Sequence, residues 1–214
     1  MTHHTRRVWL ALGIVLGCCG SVPRAADKST VESPTVLSLR LTTSSELSSV
    51  SQQALIHETE SIWRDARVEL RWLSDAVSDE NRAVVQRRPL RIVVTRRAVN
   101  AADHQHLPVG ELLRFGDRSA VAMASISAAL RIVEESPESP LLGLPAMHQY
   151  KLGVVLGRAV AHEIGHYLLD SNTHSPYGLM RASIDAREFA DLRSGAFRLD
   201  RQSQAYLASQ VRNN

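Results

Sequence analysis

His162-Glu163-Ile164-Gly165-His166 is followed, past a short polar stretch, by His174-Ser175-Pro176-Tyr177-Gly178-Leu179-Met180. On a helix, residues four apart lie one above the other, so His162 and His166 can each offer a ring nitrogen to one cation. Glu163 leaves the same helix one position further round. There it can face an ion without ligating it and take a proton from an attacking water. With a further imidazole and a methionine close behind, the set predicts a zinc site of hydrolytic type.

The preceding residues suit such a site. Residues 150–161 (YKLGVVLGRAVA) are apolar almost all round, as a helix inside a core should be. A His-Glu-His set ending that helix is costly to bury without a partner such as a metal. Pro145, at a first-turn position, opens the helix. Gly153, Gly157 and Gly165 within it each cost about 1 kcal/mol relative to alanine, so something should compensate. Four-residue spacing sets Gly153, Gly157, Ala161 and Gly165 in one row, which predicts close approach by a sheet or a neighbouring backbone.

The chain has 214 residues, enough for one domain with a substantial core. Residues 1–26 read as a signal peptide: Arg6 and Arg7, an apolar run from Val8 to Cys19, then Pro23 and Ala25-Ala26. The run is shorter than the roughly 20 apolar residues of a membrane-spanning helix. Residues 27–34 read as a linker and 35–214 as the catalytic domain. Val15-Leu16-Gly17-Cys18 resembles a lipobox, so a lipid anchor at Cys18 stands beside simple secretion. The expected location is secreted or periplasmic, with no membrane contact beyond that anchor.

Losing residues 1–26 removes Arg6, Arg7 and Arg24 and no acid, leaving 22 Lys and Arg against 22 Asp and Glu. A near-neutral chain gives no support to nucleic-acid binding. Both cysteines, Cys18 and Cys19, fall in the leader, so the remainder has no internal disulfide, thiolate ligand or catalytic cysteine.

Strands are expected at 35–42, 68–73, 89–95 and 119–126, and a helix at 45–67 capped by Ser45. Residues 96–118 read as loop, with a helical turn near Glu111. Helical segments are expected at 184–194 and 200–211. This order argues for an α/β sandwich with a twisted, mainly parallel sheet, a buried active-site helix and a C-terminal helical part. The strand at 119–126 is the expected sheet edge for an extended peptide. Trp63, Trp72 and Met123 read as core, Tyr177 as packing, and His57, His104, His106 and His148 as polar surface.

Residues 162–180 resemble the active-site segment of the metzincin metallopeptidases, and His174-Ser175 with Gly178-Leu179-Met180 is similar to the matrixin branch. The resemblance implies a metzincin-like fold, Zn2+ held by His162, His166 and His174, Glu163 as the base, and Met180 in a turn beneath the metal. It implies a peptide or protein substrate. The chain departs from the family at the turn. Leu169 stands where metzincins have glycine and Asn172 where they have the third histidine, so His174 implies a turn enlarged by two residues. Asn172 is expected to take the left-handed backbone that glycine would supply.

A rival third ligand is Glu188, near Asp191, as in gluzincin peptidases, where a later helix supplies a glutamate. A zinc-bearing binding or structural protein without proteolytic activity is the other alternative, motivated by the irregular turn.

Overall fold

A computed structural model describes residues 34–73, 89–96, 109–116, 119–136 and 144–212. The expected leader with Cys18, nearly all of the linker, and His104 and His106 lie outside the described residues. No helix among the described residues is long and apolar enough to cross a membrane.

The elements are β1 (Thr35–Thr43), α1 (Ser49–Asp65), β2 (Val68–Leu73), β3 (Leu90–Thr95), β4 (Gly110–Phe115), β5 (Ser119–Ser125), α2 (Ile126–Glu135), α3 (Pro145–Leu168), α4 (Ala186–Ala190) and α5 (Arg201–Arg212). The strands form one sheet in the order β2-β1-β3-β5-β4. The first four in that order run parallel, and β4 is antiparallel to β5. The α/β class with a mainly parallel sheet is as the element order implied.

Strand register explains the core. Leu39 pairs with Leu90, Leu41 with Ile92, Ile92 with Ala122, and Ala122 with Leu112. Because strand side chains alternate, these residues share one face. Leu39, Leu90, Ile92, Val94, Ala122 and Ala124 are all buried there, in one cluster with Leu55 and Trp63 of α1 and Val155, Leu156 and Ile164 of α3. Met123 points to the opposite face and is only half-buried, not core as expected.

In the glycine row of α3, Gly153 and Gly157 meet a backbone, that of α1. A Cβ at Gly153 would collide with the carbonyl oxygen of Ser51. One at Gly157 would lie 2.7 Å from the carbonyl oxygen of Leu55 and 2.9 Å from Glu58 Cβ. Thr59 Oγ1 bridges the helices, 2.8 Å from the Leu55 carbonyl and 3.1 Å from that of Gly157.

Several boundaries differ from expectation, each for a local reason. Ser48, not Ser45, caps α1: its hydroxyl accepts from the Ser51 amide at 3.2 Å. A turn in which the Leu47 amide reaches the Ser44 carbonyl precedes it. Ser125 caps α2 by accepting from the Ala128 amide, so the strand ends one residue early and a helix unforeseen in the sequence begins. The most consequential difference is β4, which occupies part of the segment read as loop. It displaces β5 from the edge, and among the described residues β4 is the outer strand on that side.

Candidate metal centre

Helix α3 presents the site from inside the fold. Glu163 and His166 are buried and His162 is half-buried, while His174 lies exposed on the following loop. The structure brings the three imidazoles together. Ring centroids are 4.7 Å apart for His162–His166, 4.9 Å for His166–His174 and 5.4 Å for His162–His174. One ligating nitrogen from each lies within 4.8 Å of the others, and among the described residues this is the group able to hold a metal ion.

The main chain fixes two of the rings. His162 Nδ1 donates to the Leu179 carbonyl at 2.8 Å, and His166 Nδ1 donates to the Ser171 carbonyl at 2.7 Å. With both Nδ1 atoms carrying hydrogen, each Nε2 keeps a lone pair, the form that ligates a metal. These two Nε2 atoms face one another at 3.0 Å. Two lone pairs so placed repel unless a cation lies between them. Ligands on a tetrahedral zinc with bonds of about 2.0–2.1 Å stand about 3.3 Å apart, so the pair fits such an ion closely.

The electrostatics agree. Burial lowers the pKa of His162 to about 4, with His166 and His174 adding to the effect against the raising influence of the Leu179 bond. Burial also lowers His166. Both rings are therefore neutral near pH 7. Burial raises the Glu163 carboxyl to about 8, and the carboxylate of Glu111 on β4 adds to the rise. A dication nearby would oppose that shift. Strand β4 lies against the same carboxylate: a Cβ at Gly110 would meet Glu163 Oε1 at 2.7 Å.

The loop after His174 closes on itself. Ser175 N–H donates to the Met180 carbonyl at 2.8 Å, and Leu179 N–H donates to the Arg198 carbonyl at 2.8 Å. Gly178 takes φ +73° with the Arg198 carbonyl packed against it, leaving no room for a side chain. Met180 is buried with its sulfur against Gly165, where a Cβ would collide with it. The methionine thus packs against the histidine helix at Gly165. Tyr177 does not pack; it is 75% exposed.

The turn between helix and loop is solved differently from expectation. Leu169 remains in the right-handed region as the C-cap, and Asp170, not Asn172, takes the left-handed backbone at φ +46°. The helix runs to Leu168, which places the residue that must reverse the chain at 170. Ser171 N–H then donates to the His166 carbonyl at 3.3 Å, the closing bond of a Schellman turn. Arg114, from β4, donates to the same His166 carbonyl and to Asp170 Oδ1, each at 2.7 Å. The sequence reading missed Arg114 and Glu111 because it took their strand for a loop.

The rival ligand Glu188 is engaged elsewhere. Its two oxygens accept from Arg181 Nη1 at 3.0 Å and Nη2 at 2.7 Å.

No protein-family model and no curated protein matches this chain. Among solved structures it is similar to archaemetzincin from Methanopyrus kandleri, at 15% identity and a TM-score of 0.48, over 90% of this chain and 99% of that one. That degree of likeness identifies no family.

Proposed function

We propose that the chain is a zinc-dependent endopeptidase-like hydrolase, exported to act on peptides or proteins outside the cytoplasm. The observation that carries this reading is the convergence of His162, His166 and His174, with the buried Glu163 next to His162 on the same helix. The imidazole nitrogens would hold Zn2+, which when bound polarises a carbonyl and lowers the pKa of water toward about 7.

Glu163 is the proton carrier. It takes a proton from the attacking water and returns it to the leaving amine. Glu163 lies against β4 at Gly110, which supports a transfer beside that strand, the outer one among the described residues, whose main chain would hold an extended peptide by strand pairing. Strand β4 therefore takes the role first expected of β5.

The test is Glu163→Gln, assayed for bound zinc and for chelator-sensitive cleavage of denatured casein and a peptide library. Retained zinc with turnover lowered by several orders of magnitude is expected. Undiminished cleavage would remove Glu163 as the base. Zinc bound by the wild-type protein with no cleavage of any substrate would leave the non-catalytic reading in its place.

A further inference from the structure

We infer that Arg114 is a positioning residue for the second imidazole. Through one guanidinium it holds the left-handed turn at Asp170 in the shape that fixes the His166 ring. The inference rests on the metal-site reading above.

A left-handed backbone is disfavoured for residues with a side chain, and Asp tolerates it better than most. Asp170 occupies it at φ +46°, in a turn that lacks glycine. The same turn delivers the Ser171 carbonyl to His166 Nδ1 at 2.7 Å. If the turn relaxes, that carbonyl leaves and the ring loses the bond that sets its tautomer and tilt. Ser171 also accounts for one donor on the His166 carbonyl, the other being Arg114 Nη2.

Arg114 touches both ends of this arrangement. Nη1 reaches the Asp170 carboxylate, and Nη2 reaches the His166 carbonyl at the C-terminal, partially negative end of α3. The Asp170 side chain is 80% exposed, so the ion pair by itself stabilises little. What the planar fork supplies is geometry: two donors fixed relative to one another, which a lysine cannot reproduce. The fork also fastens β4, the strand beside Glu163, to the ligand-bearing helix. A substitution at 114 should therefore disturb the metal site rather than the core.

The test uses the full chain as wild type, Arg114→Met, Arg114→Lys, Asp170→Gly and the double variant Arg114→Met/Asp170→Gly. Zn2+ affinity is read by competition with a chromophoric chelator. The His166 tautomer is read in metal-free protein from long-range 1H–15N spectra. Arg114→Met should melt within a few degrees of wild type when metal-free, yet bind Zn2+ about 10–100-fold more weakly, the usual effect of losing a group that orients a ligand. Its His166 resonances should shift from the Nδ1–H form toward a mixture of tautomers. Arg114→Lys should fall between the two. Glycine at position 170 adopts the left-handed backbone unaided, so Arg114→Met should cost markedly less in the Asp170→Gly background.

Wild-type affinity and an unchanged tautomer in Arg114→Met would overturn the inference while leaving the zinc reading intact. An equal loss in the wild-type and Asp170→Gly backgrounds would overturn the role assigned to the turn. If Arg114→Met does not fold, Arg114→Lys carries the same comparison. A wild-type chain that takes up no Zn2+ would overturn both readings.

Discussion

The carbonyl of Leu179 accepts the Nδ1 hydrogen of His162 at 2.8 Å. The residue just before Met180 thus orients the first ring of the cluster, and loop and helix are parts of one device. Alanine at His162, His166 or His174 should abolish stoichiometric zinc, whereas Glu188→Ala should retain it. Metal content after gel filtration decides this, and zinc retained by His174→Ala would remove that residue as the third ligand.

The glycine row reverses the usual helix preference. Alanine normally favours a helix by about 1 kcal/mol over glycine. At Gly157 the added methyl would meet the Leu55 carbonyl at 2.7 Å. Gly157→Ala should therefore destabilise, by about 1–3 kcal/mol as overpacking does. Urea unfolding of the metal-free protein measures it, and a stabilised variant would show that the helices can part cheaply.

Arg158 is buried beneath the loop that follows α4. Its guanidinium pairs with Glu58 at 2.8 Å, donates to the Phe189 and Asp191 carbonyls at 2.8 and 2.9 Å, and lies 4.2 Å from the centre of the Phe197 ring. Arg158→Met strips partners from these acceptors and should cost about 3 kcal/mol, as when one side of a buried pair is removed. Thermal unfolding should show a loss of that order. The companion Glu58→Gln, whose side chain is partly exposed, should lose less.

Asp200 gives stability a pH dependence. Burial alone would raise its pKa, but hydrogen bonds from Ser203, Ser175 and the Gln202 amide outweigh this and lower it. A carboxyl with a depressed folded-state pKa stabilises above its unfolded value, and that contribution disappears as pH falls through the folded value. Its bond with the Ser203 amide also caps α5. Asp200→Ala should cost about 1 kcal/mol at pH 7, the worth of a helix cap. The gap to wild type should narrow below about pH 4. A constant gap across that range would show that the charge contributes nothing.

Much of the site could be read in the sequence because its parts are local. His162, Glu163 and His166 share one helix, and His174 with Met180 follows within a short loop. Helical spacing encodes the approach of His162 and His166, and the likeness of the following loop to the metzincin segment adds His174 and Met180. Arg114 and Glu111 could not be found this way. They reach the site only because β4 folds back antiparallel on β5, and β4 is too short and too weakly patterned to register as a strand. Gly110-Glu-Leu-Leu-Arg-Phe115 has adjacent leucines and no clean alternation. Helix α2 was hidden differently, since the strand before it passes directly into the helix at Ser125. The turn position was misjudged because helix length, which tertiary packing sets, decides which residue must reverse the chain.

The bare contact between α1 and α3 also constrains how this molecule can diverge. With carbonyls facing the glycines instead of pliable side chains, a bulkier residue at 153 or 157 cannot be absorbed by rotamer adjustment. One whole helix must retreat, drawing Leu55 and Trp63 away from the strands beneath. Acceptable change at this seam therefore arrives in matched sets on both helices, and the pair behaves as a single inherited unit.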